Sequence, residues 1–270
     1  MRYFDFHTHA FPDGLAERAV SGLAETSGIA PATDGTLSGL RRKLAENGID
    51  RAMLLPVATK PSQQTTINSW AADIMGDGLY CCGSLHPDSE DALSEAERIK
   101  ALGLRGVKFH SEYQKFRPDE KRMFPIYEKL SELGLLAVFH GGWDPYSNDI
   151  IRAVPQSFAA VAETFPNLRI VAAHLGGMML WDDVEKYTAG RYENLWFDVS
   201  VLSRYIEDDR LLRIIRMQGA DRVLFGSDCP WDEPSAEIAM IERLPLSQKE
   251  KELIFFGNAE RLLGITPSAD

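Results

Sequence analysis

Residues 3–9 read Tyr3-Phe4-Asp5-Phe6-His7-Thr8-His9. Aromatic and polar side chains alternate through this run, as they do along a strand whose successive side chains point to opposite faces. On that period Asp5, His7 and His9 share one face, and Phe4, Phe6 and Thr8 the other. The two imidazoles then stand roughly 6.6 Å apart along the strand. Where a strand ends and the backbone turns, such a pair can converge on one cation, because neutral imidazole is the commonest metal ligand. Two polar residues at a strand end are the plainer reading, and the rest of the chain decides between them.

Downstream, extended segments recur about every thirty residues, each followed by a helical pattern, which is the spacing of a (β/α)8 barrel. Strands are expected over residues 51–56, 79–85, 105–110, 135–140, 169–174, 195–200 and 222–228. Helices are expected over 15–25, 37–47, 67–75, 92–102, 124–133, 157–165, 182–188, 208–218, 235–243 and 248–263. Gly48, Gly103, Gly134 and Gly219 supply helix C-caps, and Ser247 with Glu250 forms a capping box. The predicted fold is α/β: a single (β/α)8 TIM barrel closed by C-terminal helices, in one domain over residues 1–270. An open doubly wound sheet is the rival, but the loop after the first strand has no glycine-rich phosphate fingerprint. That loop, rich in Gly, Ala, Ser and Pro and holding a short helix, suits a lid.

Composition narrows the partners. With 44% hydrophobic residues in 270, the chain can bury a large core. Its 29 basic and 40 acidic residues give a net charge of −11, which disfavours a phosphate backbone, so no nucleic-acid partner is expected. No apolar run approaches a membrane span, and the first strand starts at Arg2 without room for a signal peptide. Cys81 and Cys82 are adjacent and poorly placed to pair with each other, and Cys229 leaves the count odd. A cytoplasmic protein is expected, with no membrane contact. Cys229 follows a candidate ligand, but a buried inert thiol is its plainer reading.

The six histidines are His7, His9, His86, His110, His140 and His174, and each falls at the C-terminal end of an expected strand. In a barrel those ends converge on one mouth, where active sites of this architecture lie. Alternation pairs Lys108 with His110, Val138 with His140, Ala172 with His174, and Leu224 and Gly226 with Asp228 on inward faces. Imidazole plus carboxylate without cysteine suits one divalent metal in an open site, zinc first, with manganese, iron or cobalt compatible. Bound zinc brings the pKa of its water to about 7.

The motifs D-F-H-T-H at 5–9, G-V-K-F-H at 106–110, F-H-G-G at 139–142, A-H-L-G-G at 173–177 and G-S-D-C-P at 226–230 come in barrel order. G-N-A-E-R-L-L at 257–263 follows as a closing helix. Together they resemble the amidohydrolase-related family, which includes hydrolases and non-oxidative decarboxylases such as aminocarboxymuconate semialdehyde decarboxylase. The resemblance implies a metal held by His7, His9, His140 and Asp228, with His174 orienting the attacking water or the substrate. Lys108 would be a carboxylated bridge between two metals, a partner for a substrate carboxylate, or a plain ion-pair member. His110 would bind substrate or orient a neighbour, and His86 reads as a turn residue. Trp143, Trp181 and Trp231 follow strands five, six and eight, where they would wall the mouth or pack in the core. Asp198 suits a salt bridge inside the barrel.

The expected reaction is hydrolysis of a small ester, lactone or amide by metal-bound water, with Asp228 moving the proton and His174 steadying the oxyanion. The alternative on the same ligands is decarboxylation of a small carboxylate, using Lys108, His110, His174 or Arg204. A non-catalytic small-molecule-binding barrel is a third reading, although no ligand appears lost. A small-molecule substrate is the expected partner, and a homodimer is compatible with the sequence.

Overall fold

The computed structural model describes residues 1–147 and 150–265. Among the described residues nine strand segments run in order: β1 (Phe4–Thr8), β2 (Arg51–Leu54), β3 (Leu79–Cys81), β4 (Gly83–Ser84), β5 (Gly106–Phe109), β6 (Leu136–Phe139), β7 (Ile170–Ala172), β8 (Leu195–Asp198) and β9 (Val223–Leu224). All pairings are parallel, in the orders β1-β2-β3 and β4-β5-β6-β7-β8-β9. β3 and β4 are halves of one barrel strand interrupted at Cys82, whose N–H still donates to the Leu54 carbonyl at 3.0 Å. The last strand returns to the first: the Phe6 N–H donates to the Phe225 carbonyl at 2.8 Å and the Asp228 N–H to the His7 carbonyl at 2.7 Å. Eight strands therefore close a barrel, the architecture expected from the spacing.

Helices cover the outside: α1 (Asp13–Ser27), α2 (Leu37–Glu46), α3 (Gln64–Ile74), α4 (Ala92–Ala101), α5 (Ser111–Gln114), α6 (Phe124–Leu133), α7 (Pro155–Thr164), α8 (Trp181–Tyr187), α9 (Asp208–Gln218) and α10 (Pro234–Glu242). The helix expected over 248–263 is broken into α11 (Gln248–Glu252), a π turn over Leu253–Gly257 and α12 (Asn258–Leu263). Its Ser247–Glu250 capping box forms as expected. Among the described residues no helix is long and apolar enough to cross a membrane. The three cysteines are free and buried, and burial pushes the Cys81 thiol up to about 12.

Two apolar layers result. Inside the barrel, Phe4, Phe6, Met53, Val138 and Leu224 pack together, and Ala259 and Leu262 of α12 plug the end away from the mouth. Outside, residues such as Phe109, Phe139 and Phe197 meet the helices through Ile99, Leu130, Phe158 and Ile214. These layers correct two expected faces. On β1 the register shifts between Asp5 and Thr8, and the His7 N–H donates to the Asp5 carboxylate at 3.2 Å. The irregularity lets Phe4 and Phe6 fill the interior and then turns His7 and His9 inward as well, while Asp5 binds the Ser227 N–H at 2.9 Å. On β7 it is Val171 that lies inside and Ala172 that packs outward. His174 enters the mouth because its backbone is left-handed, with φ of +56°.

Candidate active site

Ser200, just past β8, organises the mouth. Its hydroxyl donates to Asp198 Oδ1 at 2.6 Å, so its oxygen can only accept from His7 Nδ1 at 3.0 Å and His174 Nδ1 at 3.1 Å. His7 Nδ1 also donates to Asp198 Oδ2 at 2.9 Å, and His174 Nδ1 to the Ser200 carbonyl at 3.0 Å. Both rings therefore carry their proton on Nδ1 and leave Nε2 bare. His174 Nε2 in turn accepts from His140 Nδ1 at 3.1 Å, which leaves His140 Nε2 bare, buried and without a partner. Burial, then the Lys108 charge, lowers His7 to about 4; burial, then His110, takes His140 well below its usual value. These neutral imidazoles hold their lone pairs toward the cavity.

Three donor atoms meet at the junction of β1 and β9. His7 Nε2 lies 3.2 Å from His9 Nε2 and 3.2 Å from Asp228 Oδ1, and His9 Nε2 lies 2.9 Å from Asp228 Oδ1. Adjacent ligands around a divalent ion with bonds of about 2.1 Å stand about 3.0–3.4 Å apart, so the triangle fits such an ion. Close approach requires the glycine of G-S-D-C-P: a Cβ on Gly226 would come 2.8 Å from the His7 Cβ. Asp228 holds a left-handed backbone at φ +63°, a conformation that costs roughly 1–2 kcal/mol for a residue with a side chain. Burial alone would raise its carboxyl, but the His7 and His9 imidazoles outweigh burial and hold it well below the usual carboxylate range. Asp198 is held down in the same sense, against burial, by His7, His174 and Ser200.

Lys108 is fully buried with Nζ 3.0 Å from His7 Nε2. Burial lowers its pKa, while Asp228 and Asp198 oppose the drop. Two carboxylates against one ammonium leave the metal-free mouth net negative, so it attracts a divalent cation, and the loaded mouth is net positive and attracts an anion.

His140 does not join the triangle as expected. Its ring stands with His110 and Asp144 in a second group of candidate ligands. His110 is sandwiched, 3.7 Å from the Tyr113 ring and 4.3 Å from the His140 ring, and burial, then Lys108, keeps it neutral. Asp144 accepts from the Tyr146 N–H at 3.1 Å, yet its Oδ2 has no partner and lies 3.9 Å from His110 Nε2. Burial raises this carboxyl to about 7.

The triangle and this second group open into one cavity of about 710 Å³, lined also by Lys108, His174, Trp143 and Trp231. Trp181 is not brought to it: the ring begins α8, packs in the outer layer and stands 6.0 Å from the Arg210 guanidinium carbon. Seven residues past His174 and already the first residue of the next helix, it is carried behind the barrel wall. Arg204 also points elsewhere, bonding Asp232 at 2.5 Å. His86 accepts from the Asp88 N–H at 3.2 Å, as a turn residue does.

The amidohydrolase family description matches residues 4–265. The chain belongs to the amidohydrolase family. Its two groups of His and Asp donors at the barrel mouth have the composition of a divalent-metal site. A curated relative, 2-amino-3-carboxymuconate-6-semialdehyde decarboxylase of Dictyostelium discoideum, is 25% identical over 225 residues, covering 67% of this chain. The chain spans 59% of the length of that relative. Among solved structures, an uncharacterized TIM-barrel protein from Bordetella bronchiseptica superposes with a TM-score of 0.79 at 20% identity, over 98% of this chain and 99% of that one. A 5-carboxyvanillate decarboxylase from Sphingomonas paucimobilis gives 0.72 at 17% identity, over 98% and 99%. These two likenesses are of fold.

Sequence reasoning about this amidohydrolase missed Asp144, Tyr113 and Ser200. Asp144 follows β6 inside W-D-P-Y, an acid beside a strand-end histidine motif, and that proximity was the available signal. Ser200 follows Asp198 by two residues, the strand period, but its part in fixing two tautomers needs the spatial meeting of β1, β7 and β8.

Proposed function

We propose that this amidohydrolase is a metal-dependent, non-oxidative decarboxylase of a carboxylic acid. The observation that carries the reading is the second group at the mouth: His140 Nε2 and Asp144 Oδ2 are buried polar atoms without partners on residues that line the cavity, beside His110 and the triangle of donors. Hydrolysis, favoured slightly from the sequence, needs little beyond an activated water. A carbon that loses carbon dioxide also needs a proton donor, and Asp144 is placed to be one. The Dictyostelium relative carries a decarboxylase name, which supports the same order of preference.

A divalent ion, zinc or manganese by the softness of the donors, would be held by His7, His9 and Asp228, with His140 Nε2 as a further bare donor, and would supply Lewis-acid polarisation. Lys108 then pairs with the substrate's carboxylate or an adjacent oxygen. His110, locked between Tyr113 and His140, positions the substrate ring, and Trp143 and Trp231 keep water from it. As the carbon–carboxylate bond breaks, its electron pair stays on the substrate carbon and takes the proton from the Asp144 carboxyl. Carbon dioxide leaves, and Asp144 is reprotonated from solvent.

Manganese-loaded enzyme screened against hydroxylated aromatic acids tests this. One deuterium should enter the product carbon in heavy water, and no oxygen-18 should enter the organic product from labelled water. Label appearing in the organic product would make the enzyme a hydrolase and overturn the proposal.

A further inference from the structure

α1 presents two apolar stripes. Ala16 and Val20 are buried and seat the helix on the protein. Leu15, Ala19 and Leu23, one turn apart on another face, line the same cavity as His7, His9 and Asp228. Ile67 and Trp70 of α3 line it too. Leu15 remains 47% exposed although it is a large apolar residue. A helix on a barrel needs one apolar stripe to stay in place, and the second is turned toward the cavity instead. From Leu15 to Leu23 the stripe runs about 12 Å along the helix, well beyond the width of one aromatic ring. Among the described residues lining the cavity, the carboxylates are Asp144 and Asp228 at the mouth, so the α1 and α3 wall carries no acid and the one charge it adds is Arg18.

We propose that this wall is a subsite for an apolar extension of the substrate, so that the enzyme takes an aromatic acid bearing a second ring or an alkyl chain of similar length. The inference rests on the carboxylate-at-the-metal reading above, and continuity of one cavity from ligands to wall is what places the extension there. A ring buried against Leu23, Ile67 and Trp70 removes apolar surface from water, and affinity should rise accordingly.

Calorimetric titration of manganese-loaded enzyme with salicylate and with 4-phenylsalicylate reads the subsite as a ratio of dissociation constants. The second ring should tighten binding about tenfold or more. In Ala19→Trp, which fills the space, and in Leu23→Asp, which charges it, the ratio should fall to near one; both sites are partly exposed on α1, and circular dichroism checks folding. Equal affinities in the parent, a ratio that survives both substitutions, or no binding of 4-phenylsalicylate at millimolar concentration each overturns the subsite. Repeating the titrations after chelation separates the two readings: loss of affinity for both acids by one factor supports carboxylate binding at the metal. A tenfold ratio that persists with no effect of chelation sustains the subsite and sinks the metal reading instead.

Discussion

Ser200 has one proton to donate and gives it to Asp198, and from that commitment the protonation of three histidines follows in turn. Without the hydroxyl, His7 and His174 lose a shared acceptor and Asp198 loses a donor, so the two rings are oriented only by Asp198 Oδ2 and the backbone carbonyl of residue 200. Ser200→Ala should therefore weaken manganese or zinc binding roughly 10- to 100-fold, the usual effect of removing a residue that orients a ligand. Competition against a chromophoric chelator reads the affinity; an unaltered value would mean that Asp198 alone sets the His7 tautomer. The substitution removes no apolar packing, so the melting temperature of metal-free protein should move little.

Strand ends and the segments that fasten them set the geometry at the next scale. β1 works only because its irregularity turns from Phe6 to His7 without leaving the interior, and because Gly226 leaves room for the His7 Cβ. Gly226→Ala should displace His7 and abolish stoichiometric metal binding while far-ultraviolet dichroism stays native; full metal content by elemental analysis would refute the close-approach argument. Elsewhere, α10 is fastened to the loop after β8 through Glu237, whose carboxyl accepts from the Leu202 N–H at 3.2 Å and the Ser203 N–H at 3.0 Å. Burial raises Glu237 to about 8. Its folded pKa exceeds its unfolded one, so between about pH 4.5 and 8 the unfolded chain has lost a proton that the folded chain keeps, and stability falls as pH rises. Glu237→Gln cannot titrate. Its stability relative to the parent should therefore climb by up to about 1.4 kcal/mol per pH unit across that window and level off above it. Urea unfolding at a series of pH values gives the slope, and a flat difference would place the Glu237 pKa near its ordinary value.

For the whole molecule, the donor triangle lies where the barrel closes, with His7 and His9 from the first strand and Asp228 from the end of the last. A bound ion ties the closure together and binds the unfolded chain poorly, so it should stabilise by about 2.7 kcal/mol at a hundredfold excess over its dissociation constant. Chelation should lower the melting temperature by roughly 5–10 °C, taking about 2–4 °C per kcal/mol for a chain of this size, and one equivalent of metal should restore it. If two equivalents are needed, the His110, His140 and Asp144 group is binding a second ion.

The strand and helix alternation was legible because periods of 2 and 3.6 and the caps Gly134, Ser247 and Glu250 are local properties, readable from neighbours along the chain. Placement of six histidines at strand ends followed from the same local pattern, and with the barrel it located the mouth. Which of them face one another was decided only in three dimensions. His140 turned toward His110 and Asp144 because His174 Nε2 takes its Nδ1 proton, a contact across barrel strands that no spacing encodes. The strict alternation read on β1 failed at one irregularity, and on β7 it failed because a left-handed residue, not the strand period, aims His174. Trp181 was misplaced for a related reason: position after a strand is local, whereas the direction in which a loop carries a ring depends on the helix it enters. The sequence determined that His7, His9, Lys108, His110, His140, His174 and Asp228 reach the mouth, since that depends on strand ends; the tertiary structure decided their grouping and protonation, since those depend on distances of about 3 Å between residues far apart in the chain.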